Sequence, residues 1–462
     1  MIGDLKPYPR YKQSGLPWAA DVPDHWGLTP NRGLVRKRKL LVGSRHTEYR
    51  LLSLTKQGVI VRDISTGKGK FSSDMGTSQE VRKGDLVFCF FDVPETPRTV
   101  GLSQHDGMIT GAYTVLETVG RASAEYFELF YRAMDDRKLL SPLYSGLRNT
   151  IPIERFLSTK TPQPPPEEVT AIVRFLNFAN IRLEATIRAK RKVIALLNEQ
   201  KQAIIHRAVT RGFDSGVTLR PSGIDWLGDV PKHWNVVRIK YLLREVDERS
   251  TTGDEPLLSM RMHHGLVLFS EHFARPPQAA TLVGFKIVRP GQFVVNRMQA
   301  GNGVIFASKL TGLVSPDYAV LDPIGDASVE FLGELFRSRT VRAKFRAESK
   351  GLGTGTSGFL RLYSDRMGAI HVALPPRDEQ NEILAKLGSE LAGLNSAISG
   401  LEREIELWRE YRTRLVSDIV TGKFDVREIA TRLPLESPPQ GGAMFDEEGI
   451  EEEASAAIEA AA

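Results

Sequence analysis

This chain is written twice, and that limits its folding more than any other feature. SGLPWAADVPDHW at residues 14–26 and SGIDWLGDVPKHW at 222–234 agree at Ser14/Ser222, Gly15/Gly223, Trp18/Trp226, Asp21/Asp229, Val22/Val230, Pro23/Pro231, His25/His233 and Trp26/Trp234. At an offset of 211, PPPEEVTAI (164–172) aligns with PPRDEQNEI (375–383), and AVTRGFD (208–214) with IVTGKFD (419–425). Each half therefore runs Trp segment, variable body, proline pair, long proline-free stretch, Thr-x-x-Phe-Asp. A period near 210 far exceeds the roughly 20–50 residues of a solenoid repeat and marks a duplicated module. Fainter matches link the bodies, VRKGDLVF (81–88) with VRPGQFVV (288–295) and AYTVL (112–116) with DYAVL (317–321). The frame is shared; the surface has diverged.

The two proline-free stretches carry a helical pattern. In the first, Val169, Leu176, Leu183, Lys190, Leu197 and Ile204 recur at sevens, interleaved with Val173, Asn180, Ile187, Ile194 and Lys201. In the second, Leu387, Leu394, Leu401, Trp408 and Leu415 alternate with Leu384, Leu391, Ile398, Ile405 and Arg412. Such a 3–4 seam is the signature of a coiled coil. Pro166 and Pro376 suit helix starts, where a missing N–H costs little, and Gly212 and Gly422 lie where the pattern stops. Helices of this length make rods of roughly 65–70 Å at about 1.5 Å per residue. They can pair antiparallel within the chain or each with another protein; matched lengths and polar breaks at Lys201 and Arg412 favour the first. The bodies mix short β-type runs (Asp85–Phe91, Gln292–Asn296) with brief helices (Ala124–Met134, Val329–Arg337). The expected class is α+β: two related globular domains joined by two long antiparallel helices, with a pseudo-two-fold repeat. The expected divisions are 1–163, 164–212 (helix), 213–374, 375–424 (helix) and an acidic, disordered tail at 425–462.

At 462 residues, 41% hydrophobic and 26% charged, the chain suits two or more globular domains. Its longest apolar run, LVFCFF (86–91), is far short of the roughly 20 residues that span a bilayer. The opening MIGDLKPYPR has no secretory pattern, and the single cysteine, Cys89, excludes an internal disulfide framework. A cytoplasmic protein is expected. All 62 Lys and Arg precede residue 433, and eight of the 56 acids follow it, so residues 1–432 carry a formal +14. A basic body is compatible with nucleic acid, because phosphate contacts need Lys and Arg.

Catalytic patterns are missing. No GxxxxGK[ST] occurs, and the Gly-rich run KGLGTGTSGF (350–359) lacks a well-placed Lys and a strong following helix. A base-flipping methyltransferase would need a cofactor loop and an Asn/Asp-Pro-Pro-aromatic motif, and neither is present. His263–His264 has no partner at metal-ligand spacing, so no metal site is expected. His25 and His233 read as packing and hydrogen-bonding residues, and Cys89 as buried and inert. The candidates for DNA contact are Arg45, His46, Lys68, Lys70, Gln104, Arg148 and Asn149 in the first body. In the second they are Arg261, His263, His264, Asn296, Arg297, Gln299, Asn302, Lys309 and Arg361. Arg and Lys can read guanine, Asn and Gln adenine; Arg148 and Arg361, at similar places before the proline pairs, suit phosphate.

In this order of elements the chain resembles the DNA-specificity subunits of type I restriction–modification systems. The resemblance covers residues 14–425 and rests on the Trp-x₇-Trp openings, Leu374-Pro375-Pro376 with Glu379-Gln380 before a long helix, the paired helices and the repeat. The first proline segment, Gln163-Pro164-Pro165-Pro166-Glu167-Glu168-Val169, departs by lacking the Leu and the Gln. The resemblance implies a non-catalytic subunit whose two target-recognition domains each read half of a split duplex-DNA site. The helices would be a spacer and the docking platform for methyltransferase subunits, two of them, and through these for restriction/translocase subunits. This chain would bind no cofactor; S-adenosylmethionine, ATP and Mg would belong to the partners. The rival readings are a fused methyltransferase or nuclease with unrecognisable motifs, and a coiled-coil scaffold without a DNA role.

Overall fold

The computed structural model describes residues 5–62, 75–120, 123–262, 264–273, 276–352 and 359–434. Two units emerge, one from Met1–Lys190 with Arg403–Gly442, the other from Arg191–Glu402 with Ala443–Ala462. Lys68, Lys70, His263, the middle of the Gly-rich run (353–358) and the acidic stretch from 435 onward lie outside the described residues.

In the first unit a four-stranded antiparallel sheet has the spatial order Val35–Lys37, Thr114–Thr118, Leu86–Phe88, Val100–Leu102. Leu86 and Phe88 pack with Phe127 and Tyr131 of the helix Ala124–Asp136, while Val87 joins Leu52, Val59, Val81, Ile109 and Val115 in a second cluster. Alternate residues of a strand face opposite sides, and here both sides are covered, which is why the run reads as continuously apolar. The second unit repeats the plan with Leu243–Val246, Ala319–Pro323, Phe293–Val295 and Ile305–Ala307. Phe293 and Val295 pack with Phe331 and Phe336, and Val294 with Leu258, Met260, Val288, Val314 and Val320. Even the helix caps recur: the Ser123 hydroxyl accepts from Tyr126 N, and the Ser328 hydroxyl from Phe331 N.

The long helices span Pro166–Arg211 and Arg377–Val420. The first opens on Pro166 and the second directly follows Pro376, and each has two acids in its first turn, Glu167 and Glu168 or Asp378 and Glu379, which favour the positive end of the helix dipole. Gly212 (φ +73°) and Gly422 (φ +80°) end them in the left-handed conformation. Within the first unit the helices run antiparallel: Leu183 shares a core with Leu415 and Val416, Glu184 meets Arg412 at 3.6 Å, and Lys190 pairs with Glu404. Within the second, Ile205 and Val209 share a core with Ile383 and Leu387, and Lys201 donates to Asn395 at 2.8 Å. The polar breaks Lys201 and Arg412 therefore each bond to the facing helix. Of the seam residues, Val173, Leu176, Leu183, Ile187, Leu387, Leu391, Ile398 and Ile405 are buried, and Ile194, Leu197, Leu384, Leu394 and Leu401 half-buried. Trp408 departs from the seam pattern: it is 36% exposed, edge-on to Tyr411 at 6.0 Å.

The Trp segments lock these helix ends. Trp26 Nε1 donates to Glu168 Oε1 (2.8 Å), and His25 Nε2 meets Glu168 Oε2 (2.8 Å). Trp234 and His233 make the same pair of contacts with Glu379, at 3.0 and 2.7 Å. Each Trp ring also lies against the glycine ending the opposite helix. A Cβ on Gly422 would overlap the Pro23 ring and come within 3.0 Å of Trp26, and one on Gly212 would lie 3.6 Å from Trp234. Each segment thus clamps the start of one long helix to the end of the other.

Residues 426–433, which the expected divisions assign to the tail, pack into the first unit. Val426, Ile429 and Leu433 are buried in the first unit's core, and Arg427–Thr431 is helical, because these apolar residues recur at 3–4 spacing. Cys89 is buried, beside Thr96 and the Phe91 carbonyl. No described helix is long and apolar enough to cross a membrane.

Candidate nucleic-acid interface

Polar and basic side chains on short turns project from each sheet frame. In the first unit Arg45 and His46 lie on the turn Gly43–Glu48, Arg45 exposed with its guanidinium 5.8 Å from the Tyr49 ring centre and His46 half-buried. Gln104 is exposed just beyond the strand Val100–Leu102. A second turn is closed from both sides, Ser145 N to Thr150 O (2.8 Å) and Thr150 N to Ser145 O (3.1 Å). Its tip holds Leu147, Arg148 and Asn149, with Gly146 and Asn149 at positive φ. Arg148 clasps the Asp92 carboxylate through Nε and Nη2 (3.2 and 2.6 Å), and its carbonyl accepts from Asp92 N. Leu147 is fully exposed, whereas the next most exposed large apolar side chain among the described residues, Tyr241, shows 63%. The ion pair leaves Arg148 partly neutralised.

In the second unit the turn after strand Phe293–Val295 separates structural from surface groups. Asn296 is buried and its Oδ1 accepts from Met298 N (3.1 Å), so it shapes the turn and is not presented to a base. Arg297 is held by Glu245 and by Ser364 Oγ (3.2 Å), with its Nε buried and unpartnered. Asn302 is tied at both ends, donating to Gln299 Oε1 (2.6 Å) and accepting from Arg346 Nη2 (2.8 Å). These four therefore build the turn. Arg361 lies 3.6 Å from Asp317 and 5.7 Å from the Tyr363 ring centre. Leu362 N donates to the Arg297 carbonyl (2.9 Å), so the Arg361 segment and the 296–302 turn are neighbours. Arg261 sits over Phe273 (5.3 Å), exposed His264 lies 6.0 Å from the His272 ring, and Lys309 is exposed. Among the described residues no group of three His, Cys, Asp or Glu is placed to hold a metal ion.

Sequence reading missed two sets of residues. Glu168 and Glu379 are the acceptors of the two clamps; the sequence marks them by the match at offset 211 and, for Glu379, by the Pro-Pro-x-x-Glu-Gln segment, and neither signal points to a clamp. The other set is Arg342 and Arg346 on the helix Arg339–Glu348, beside the 299–303 turn. Burial, and then the charge of Arg346, push the pKa of Arg342 down.

No protein-family model and no curated protein matches the sequence. Solved structures do match. One, described as the structural basis underlying complex assembly and conformational transition of the type I R-M system, superposes with a TM-score of 0.58 at 14% identity, covering 86% of this chain and 98% of that one. An HsdS subunit from Thermoanaerobacter tengcongensis matches with a TM-score of 0.40 at 15% identity, over 87% of this chain and 97% of that one. A type I restriction–modification system S subunit from M. genitalium matches with 0.29 at 12%, over 86% and 96%. This protein is therefore a mixed helix-and-strand chain of two like units. Its fold is that of a chain in a type I restriction–modification assembly.

Proposed function

We propose that this chain is the DNA-specificity subunit of a type I restriction–modification system: non-catalytic, cytoplasmic, and the reader of a bipartite duplex target. The bodies at 1–163 and 213–374 are its target-recognition domains, and the long helices are a coiled-coil spacer of fixed length on which methyltransferase subunits dock. S-adenosylmethionine, ATP and Mg work on the partner subunits. The observation that carries this reading is the twofold use of one frame under different surfaces. Sheet order, helix caps and Trp–His–Glu clamp recur, while the exposed turns do not. Two copies of a scaffold with different turns suit two half-sites of different sequence. In this reading Arg45, His46, Gln104 and Asn149 of the first domain contact DNA, and Arg261, His264, Lys309 and Arg361 of the second. Methylated bases mapped across the host genome, with and without this gene, test the reading. A split motif should lose its methylation on deletion and regain it on complementation. Unchanged methylation overturns the reading, and so does methyl transfer to DNA by the purified chain alone.

A further inference from the structure

Two helix-to-strand junctions, one in each unit, differ in how their cations are paired. In the first, the segment leading into strand Val100–Leu102 meets the end of helix Ala124–Asp136. Asp135 accepts from Thr99 N and Oγ (2.7 and 2.8 Å) and pairs with Lys138 (3.0 Å), and Asp136 pairs with Arg98 (2.6 Å). Arg98 and Lys138 there each have a carboxylate. In the second unit the corresponding strand, Ile305–Ala307, is preceded by the turn Gln299–Gly303, and the neighbouring helix Arg339–Glu348 brings Arg342 and Arg346. Arg346 donates to the Gly301 carbonyl (3.2 Å) and to Asn302 Oδ1 (2.8 Å), neither of them charged. The Arg342 guanidinium makes no hydrogen bond or ion pair with any described residue, and its Nε is buried.

The turn is shaped to let these guanidiniums in. A Cβ on Gly301 would stand 3.0 Å from Arg346 Cβ, and one on Gly303 (φ +89°) would stand 3.0 Å from Arg342 Nε. Two neighbouring arginines, one half-buried without a counter-ion, are costly unless an anion completes the group. A guanidinium fork matches phosphate oxygens in particular.

We propose that Arg342 and Arg346, seated on the Gly301–Gly303 turn, form a phosphodiester-binding site in the second unit, which takes a DNA backbone phosphate without regard to sequence. The inference rests on the reading of this chain as a DNA binder.

Anisotropy titrations of the full chain with a labelled mixed-sequence duplex, across a KCl series, test it. Arg342→Gln should weaken binding about 3- to 10-fold at moderate salt and make the log K against log salt line shallower by about one unit. Arg36→Gln, which removes a charge already paired with Glu117, should leave the line unchanged. The melting temperature of Arg342→Gln should equal or exceed that of the wild type, because an unpaired buried charge is lost; a lower one would make Arg342 a structural residue and sink the site. A wild-type slope in the variant overturns the site while leaving the DNA reading intact. A wild-type chain without salt-dependent binding overturns the reading itself. Inorganic phosphate that protects the wild type, but not the variant, as strongly as duplex at equal ionic strength would replace DNA with a free phosphate ligand.

Discussion

At the start of the first long helix Glu168 takes contacts from Tyr8, His25 and Trp26 and is sealed from solvent; at the start of the second, Glu379 takes contacts from His233 and Trp234 alone, and its side chain stays 26% exposed. The extra cover comes from the segment around Tyr8 and from residues beyond the second helix. Tyr8 packs beside Trp26, Arg427 sits over the Tyr8 ring at 5.5 Å, and Asp425 bonds Arg427. Burial, and then the hydrogen bond to Glu168, hold the Tyr8 hydroxyl protonated far above its ordinary range. Position 216, the counterpart of Tyr8 at the Trp-segment offset, is glycine. The second clamp therefore shows the minimum that the frame requires, and the first shows that minimum built into a closed core.

The comparison is most exposed to failure at the glycines. Gly422→Ala should cost about 2–4 kcal/mol, combining left-handed strain with overlap on the Pro23 ring. Gly212→Ala, whose new methyl would find nothing nearer than 3.5 Å, should cost only about 1 kcal/mol. Denaturant melts of the two variants decide it; equal losses would mean that the clamps are equally tight. The carboxylates come next. Glu168→Gln leaves buried donors facing an amide and should cost about 2–3 kcal/mol, against roughly 1 kcal/mol for the half-open Glu379→Gln. A reversed order would show that the Tyr8 cover contributes nothing.

The smallest effect concerns pH. Burial, helped by Arg211 and Arg339, lowers the pKa of His206 in the second unit, where its ring meets Thr340 Oγ1 at 3.0 Å. The folded form thus prefers a neutral imidazole. Between the ordinary histidine value of about 6.5 and the lowered folded value the unfolded chain holds more protons, so stability falls as pH drops through that window. His206→Gln should flatten this acid-side slope in melts taken from about pH 5 to 8. A slope unchanged by the substitution would place the acid sensitivity elsewhere.

Much of the frame is legible because it is set by backbone needs. Pro166, Pro376, Gly212 and Gly422 occupy helix ends for reasons of missing N–H groups and positive φ that hold in any context. The strands are legible in place but not in pairing, because LVF at 86–88 is apolar on both faces and gives no alternation to assign sides. The interface is less legible, and for a physical reason. Turn-forming residues and base-reading residues are the same types, so Asn296, which holds a turn, looks in sequence like Asn149, which is exposed. Arg342 was hidden differently: RTVRAKFRAE reads as a solvated helix face, and only packing shows that one of its cations has been drawn in without a partner.

The clamp at Gly422 also has a consequence for synthesis. The described residues of the second unit all fall within 191–402, so this unit is complete as soon as that segment leaves the ribosome. The first unit must wait for residues 403–434, since Trp26 needs Gly422, and Lys6 pairs with Asp425 across nearly the whole sequence. The half made first is finished last. Until then Trp26, Phe175 and Leu176 lack part of their cover, and loop closure on this scale is slow. The nascent chain is therefore most vulnerable to aggregation and proteolysis in its N-terminal half, and a chain stopped early would lose the first unit while keeping the second.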